Sequence, residues 1–356
     1  MKKLAIIFIF LSSCASTDNT TIKFDREVQT FTHNDFEEEV VKSEIKYFSE
    51  IIKPNHITVT KSNIIVSDRA TKRHLHIISK ENSTYLGQVG ERGQGPNEFL
   101  SFSGFKRNFI DHQFIVYSMN DKKVVFFTIP QELENTGTLD IQPDSIINLN
   151  EVDSEITYFE FLSDKSLVSK QLTKKEKFVQ IDFRSGERIK SWDTWDGMLD
   201  QGDIPFSISA SVFQGSLVSS PDRKHFGHAT VFWDLIEVYN RETDKWLRLV
   251  GPDQLEHKFS IDNSPGYPMH YIEEGNKIGY VDFYLGSEYI FGLYSGMPDR
   301  VAHGTKVLIF DYDGNPVKSY KLDVPAIRFA VDENENTIYL IFTEKDDAGI
   351  AKFKFK

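Results

Sequence analysis

The sequence predicts an all-β fold: a six-bladed β-propeller closed by an N-terminal strand that joins the last blade. Three observations carry that expectation. First, residues 306–356 read as a meander. Val307, Leu308, Ile309 and Phe310 form an apolar run, and Asp311, Tyr312, Asp313, Gly314 and Asn315 turn it back. Ile327, Phe329 and Val331, then Ile338, Leu340 and Phe342, alternate with their neighbours as one face of a half-buried strand does. Second, this pattern recurs upstream in groups of four strands at roughly 40–50 residues per group, the period of propeller blades. Third, the last group has only three strands. An unpaired edge there would leave a row of open backbone donors and acceptors. A segment near the N-terminus must therefore fill it, and residues 22–31 are the candidate.

Taken in order, the chain begins with Met1, Lys2 and Lys3, then an apolar run from Leu4 to Leu11, then Ser12, Ser13 and Cys14. The run is too short to span a bilayer, which takes about 20 apolar residues. It reads as a secretory signal, and Leu11, Ser12, Ser13 and Cys14 resemble a bacterial lipobox. On that reading residues 1–13 are a signal peptide, and Cys14 carries the lipid. Residues 14–21 are then a tether, and residues 22–356 a single propeller domain. The alternative is an ordinary signal peptide with an incidental cysteine. Ala15 after the acylated position points to the outer membrane, on its periplasmic face or at the cell surface. Cys14 is the only cysteine, so the mature globe has no disulfide to lean on.

Asn34 and Asp35 offer a helix N-cap, and Phe36, Val40, Val41, Ile45 and Phe48 follow at helical spacing. The spacing predicts a helix over 35–49, with a strand over 43–48 as the alternative. Strands are then predicted at 57–60, 63–67, 75–79 and 84–89; at 103–107, 113–117, 123–129 and 145–149; and at 156–162, 166–170, 177–183 and 187–192. The fourth group is 213–219, 225–230, 235–240 and 245–250. The fifth is 277–283, 288–294, 306–311 and 317–322, and the sixth opens at Ile327. Six blades fit the 356 residues; seven would be shorter than their turns allow.

Composition narrows the partners. The formal net charge is −12, and no basic stripe is present, which argues against nucleic acid. The 29 phenylalanines favour strands.

Gly87, Gly90, Gly93, Gly95, Pro96, Glu98 and Phe99 spell a loop similar to the GxxGxGPxEF loop of TolB-like six-bladed propeller lipoproteins of Bacteroidetes-type bacteria. Tyr294, Ser295 and Gly296, the turn Asp311 to Pro316, Tyr320 to Asp323, Phe329 to Glu333, and Ile338 with Tyr339 resemble that family's C-terminal pattern. Residues 130–275 match only in strand rhythm. The resemblance implies the fold and the lipid anchor and implies no activity.

Each motif also has a plain structural reading. The loop at 87–99 lacks the Lys-Ser/Thr and the following helix of a phosphate-binding loop. Its glycines instead suit positive φ at a crossing between blades, with Phe99 packed between them. Arg92, Gln94 and Asn97 remain as rim contacts. Asp311 opens a calcium-like run, but the twelfth position is Leu322 rather than Glu, so a hairpin turn is expected. His74 with His76, and His225 with His228, lack a third ligand, and no metal or other cofactor is called for. Trp192, Asp193, Trp195 and Asp196 put indoles beside carboxylates, the materials of a sugar site; the plain reading has Trp195 covering a blade seam. No Gly-x-Ser-x-Gly and no His-Glu-x-x-His is present. The stretch 289–304, with Tyr294, Arg300 and His303, is long for a hairpin loop and is the expected functional surface.

The expected function is a lipid-anchored, non-catalytic binding or scaffold module of the cell envelope. Its partner would be an envelope protein or a glycan, met through Arg92, Gln94, Asn97, Trp195, Tyr294, Arg300 and His303. The competing expectation is a carbohydrate-active hydrolase or lyase working in the central pocket. That enzyme would need two carboxylates, or a His with an Arg or Tyr, converging on the axial channel.

Overall fold

A computed structural model describes residues 27–130, 133, 137–152, 155–199, 204–298, 303–345 and 347–356. Six antiparallel four-stranded blades follow one another along the chain. Blade 1 is Pro54–Val59, Asn63–Asp68, Arg73–Ser79 and Tyr85–Glu91. Blade 2 is Gly104–Lys106, Gln113–Ser118, Lys123–Thr128 and Ser145–Asn148. Blade 3 is Tyr158–Phe161, Ser166–Lys170, Glu176–Asp182 and Arg188–Thr194. Blade 4 is Gly215–Ser219, His225–Thr230, Leu235–Asn240 and Lys245–Val250. Blade 5 is Tyr280–Leu285, Tyr289–Tyr294, Gly304–Asp311 and the first part of Pro316–Asp332. The 17 residues Pro316–Asp332 continue without a break to become the inner strand of blade 6, pairing with Thr337–Glu344. Asp347–Lys354 follows. Each of these strands lies within a few residues of its predicted position.

Alternation within the strands places one apolar core in each seam. Ile64 and Val66 face blade 6 with Tyr339 and Ile341, while Ile65 between them faces blade 2 with Phe114 and Val116. The other seams repeat this: Tyr117 and Phe126 meet Phe159 between blades 2 and 3, and Phe178 meets Phe226 between blades 3 and 4. Ile236 and Val238 meet Tyr280 and Phe310 between blades 4 and 5, and Phe291 and Val307 meet Val331 and Leu340 between blades 5 and 6. Side chains with a period of two cannot serve a single sheet face, so every middle strand stocks two seams.

The ring closes through an N-terminal strand, but not the one expected. Glu44–Tyr47 pairs antiparallel with Asp347–Lys354, placing Ile45 opposite Ala351 and Tyr47 opposite Gly349. The described part of 22–31 lies elsewhere: Gln29–Thr30 runs parallel to the outer strand of blade 4, and residues 22–26 lie outside the described residues. The helix over 35–49 is likewise replaced. A 3-10 turn at His33–Asp35, capped by Thr32, leads into Glu37–Val40, which adds parallel to the outer strand of blade 5. The alternative strand over 43–48 is the one that forms. Phe36, Val41 and Phe48 are buried while Val40 and Ile45 are exposed, so the helical spacing is only partly used. Two open sheet edges offer backbone partners to this segment, and Lys318 adds ion pairs to Glu37 at 2.8 Å and Glu39 at 3.2 Å. Edge pairing outweighs a short local periodicity. Lys80 of blade 1 pairs with Asp332 and Glu335 of blade 6, fastening the same seam.

The seam between blades 3 and 4 is built differently, around charge. Lys177 and Glu237 are fully buried and paired. Arg248 donates from Nε to Glu237 at 3.2 Å and from Nη2 to Asp193 at 3.2 Å. His228 Nδ1 lies 3.7 Å from Glu237, and Lys170 donates to the Phe213 carbonyl at 2.7 Å. Burial pushes the Glu237 carboxyl up, but Lys177, His228 and Arg248 outweigh it and hold the group well below the usual carboxylate range. Burial and the neighbouring Lys177 charge push the Lys170 ammonium down to about 7. Trp195 roofs the network, its ring centroid 5.3 Å from Lys177 Nζ and 5.6 Å from Lys170 Nζ.

A helix and a hairpin outside the blades are not anticipated by the sequence pattern. The helix Phe206–Val212 precedes blade 4, and the hairpin Phe259–Asp262 with Met269–Ile272 lies between blades 4 and 5. Ser211 Oγ meets His270 Nδ1 at 3.1 Å, tying one to the other.

Candidate functional site: the axial chamber

The inner strands of all six blades line the axis. On each, one apolar residue enters the seam with the preceding blade: Ile57, Phe105, Phe159, Leu217, Phe283 and Phe329. The residues beside them fall on the other strand face and are mostly polar: His56 and Thr58, Lys106, Tyr158 and Glu160, Ser216, Asp282 and Tyr284, and Arg328, with Gly104, Val218 and Ala330 as the apolar positions. These enclose two adjoining cavities that share His56, Lys106 and Asp282. The smaller is about 180 Å³ and the larger about 410 Å³, the second within the size range of small-ligand sites.

The smaller cavity is tightly cross-braced. Arg107 donates to the Tyr284 hydroxyl at 3.0 Å and to the Leu285 carbonyl at 2.6 Å. Glu160 accepts from the amides of Phe161 at 2.9 Å and Arg107 at 3.3 Å, with Arg223 at 3.9 Å. Arg223 comes from the turn after the inner strand of blade 4 and donates to the carbonyls of Phe161, Arg107 and Asn108. This region therefore knits blades 2, 3, 4 and 5 together.

The larger cavity is less committed. Lys106 donates to the Phe159 carbonyl at 2.6 Å, and Arg328 to the Ile327 carbonyl at 2.8 Å. Neither forms an ion pair with a carboxylate among the described residues. Asp282 accepts from the amides of Phe283 at 3.0 Å and Phe329 at 3.2 Å. Burial raises its pKa, and the Arg328 charge opposes that only in part. Burial also lowers Lys106 and pushes the His56 imidazole well below its ordinary value, where Arg328, Arg69 and Lys106 add to the effect. His56 is thus neutral at pH 7. Tyr117 lines this cavity, and its hydroxyl is buried with no hydrogen-bond partner among the described residues.

None of the described residues expected to form a binding surface lines this chamber. Arg92 is exposed and donates to the Arg69 carbonyl at 3.0 Å, also reaching His74 Nδ1 at 3.3 Å. Gln94 is exposed, and Asn97 bonds Gln142 at 3.1 Å. Trp195 is 2% exposed, with its indole N–H on the Gln171 carbonyl at 3.2 Å, so it belongs to the seam. Tyr294 is 1% exposed and donates to Asp253 at 2.9 Å in the core between blades 4 and 5. Both leave the candidate surface because their rings are enclosed. His303 is half-buried at the start of a strand. Cys14 and Arg300 lie outside the described residues. The long loop expected at 289–304 is shorter, since Tyr289–Tyr294 is a strand.

The plain readings of the motifs fare better. Gly87 and Gly90 take positive φ on the outer strand of blade 1, while Gly93 and Gly95 in the crossing do not; Phe99 is fully buried against Leu75 and Phe114 in the first seam, as expected. A Cβ on Gly90 would lie 2.8 Å from the Phe99 ring, so only glycine permits that packing. Asp311 accepts from the amides of Asp313 and Asn315 at 3.0 and 2.8 Å, closing a hairpin turn on itself. His74 stacks on Phe99, and His76 bonds the Tyr85 hydroxyl at 3.0 Å.

The fold compares with solved structures as follows. A member of the DUF4221 family from Bacteroides vulgatus is 11% identical with a TM-score of 0.53, covering 89% of this chain and 98% of that one. Raptor from Chaetomium thermophilum is 10% identical with a TM-score of 0.45, covering 86% of this chain and 28% of that one. No curated protein matches. A family model described as TolB-like 6-blade propeller-like matches residues 30–334. Six seams, six inner strands around one axis and that match agree, and the chain belongs to the TolB-like 6-blade propeller-like family.

Proposed function

We propose that this protein is a non-catalytic binding module of a bacterial cell envelope, anchored by lipid on Cys14, whose axial chamber receives part of an envelope protein or glycan. One observation carries the binding half of this reading. All six blades contribute polar side chains to the chamber, yet its two carboxylates, Glu160 and Asp282, are engaged by backbone amides. Those amides fix both carboxylates in place and leave lone pairs open to a ligand's hydroxyls, as a binding site needs. His56, neutral and surrounded by cations, has no carboxylate to orient it among the hydrogen bonds of the described residues.

The test is a co-purification from detergent-solubilised envelopes with the wild type and a Val218→Trp variant. Val218 lines both cavities, so the indole should fill the chamber. The expected result is a partner captured by the wild type and lost from the variant, with the melting temperature unchanged. Equal capture by both would remove the chamber from the reading. Cys14→Ala should release a folded, soluble protein; a variant that stays with the membrane fraction would contradict the anchor.

A second reading, a carbohydrate hydrolase or lyase, is favoured by one feature: Glu160 and Asp282 share the channel, and burial raises Asp282 as it would a general acid. Turnover of a glycan that Glu160→Gln and Asp282→Asn each abolish would establish it in place of the first.

A further inference from the structure

Resting on the chamber being a ligand site, we infer that the larger cavity binds an acidic sugar, with the carboxylate held by Lys106 and Arg328 and the hydroxyls by the surrounding polar groups. The charge balance selects the anion. Lys106 and Arg328 each donate to one backbone carbonyl, with Lys106 Nζ also 4.5 Å from the Phe159 ring centroid and 5.7 Å from that of Tyr117, and further N–H donors stay open. Asp282 is the single carboxylate lining this cavity and is already bonded to two amides. The lining therefore carries a surplus of one positive charge, which suits a monoanion better than a phosphate dianion. An arginine fork matches a carboxylate in two parallel hydrogen bonds.

The remaining lining selects a polyhydroxylated body. Ser103, Thr157, Gln214 and Ser216 are neutral donors and acceptors. Tyr158, 41% exposed, offers a ring face of the kind on which sugars stack. The buried Tyr117 hydroxyl has no hydrogen-bond partner among the described residues, and burying such a group unpaired is unfavourable. A ligand oxygen or a bridging water would satisfy it. A cavity of about 410 Å³ holds one sugar ring with ordered water and no long chain.

The experiment is calorimetric titration of the full-length protein with D-glucuronate, D-glucose and inorganic sulfate. Glucuronate should bind at least tenfold more tightly than either of the others. Arg328→Gln and Lys106→Gln should each weaken glucuronate tenfold or more while leaving glucose unchanged. If Lys106→Gln does not fold, Arg328→Gln carries the test. Equal affinities for glucuronate and glucose, sulfate binding as tight as glucuronate, or an unaffected Arg328→Gln would each overturn the assignment. No binding of glucuronate, with partner capture still lost in Val218→Trp, would overturn the acidic sugar and leave the binding module standing. No binding with capture retained would remove both.

Discussion

Lys177→Ala is expected to destabilise the protein by about 3–5 kcal/mol, the usual cost of stripping one partner from a buried ion pair. Lys177 and Glu237 are both fully buried, and the truncation leaves a carboxylate facing only Arg248 and His228. Lys177→Met with Glu237→Gln should be less damaging than the single change, because no under-compensated charge stays inside. Urea titration checks both, and a loss below about 1 kcal/mol for Lys177→Ala would show that water reaches the seam. The same seam predicts a pH dependence. Lys170 has its pKa lowered to about 7 in the folded protein from 10.5. Between those values the unfolded chain binds the extra proton, so stability rises with pH, by up to about 1.4 kcal/mol per unit. Below pH 7 both states are charged and the dependence vanishes. Lys170→Met should flatten this part of the profile; an unchanged slope would mean that Lys170 does not titrate there.

Removing residues 1–48 should be strongly destabilising. The deletion takes away Glu44–Tyr47, the fourth strand of blade 6, together with the buried Phe31, Phe36 and Phe48. An edge of blade 6 opens, three aromatic side chains leave the core, and a loss of more than about 10 °C is expected, with self-association through the bare edge. Circular dichroism melting and size-exclusion chromatography read both effects. A melt of the 49–356 protein close to the parent would show that the ring holds without its closing strand.

Strand rhythm was legible because it is local: a period of two, broken by turn residues, marks each strand wherever it sits in the fold. Closure was legible only in kind. The three-stranded last group demanded a partner, but 22–31 and 43–48 are both short and apolar in part, and only the geometry of two exposed sheet edges decides between them. Trp195 and Tyr294 looked like surface aromatics because sequence does not say which loop residue folds back under a seam. The chamber left a trace that passed unread. In four of the inner strands a seam residue, Phe105, Phe159, Phe283 or Phe329, is flanked by Lys106, Glu160, Asp282 or Arg328, charges where a buried strand would be expected to carry apolar residues on both faces. The convergence of those charges from four distant strands depends on ring closure, which has no local signature.

The unbroken strand Pro316–Asp332 has a mechanical consequence. Blades 5 and 6 share one backbone, so neither can peel away without tearing hydrogen bonds in the other, and the pair must melt as a single cooperative block. Any widening of the ring therefore falls to the other blade junctions. Arg328 rides on the shared block, while Lys106 stands outside it on the three-residue strand of blade 2. That strand is tied back to blade 5 by Arg107 through Tyr284 and Leu285, so the two cations keep their spacing across the chamber.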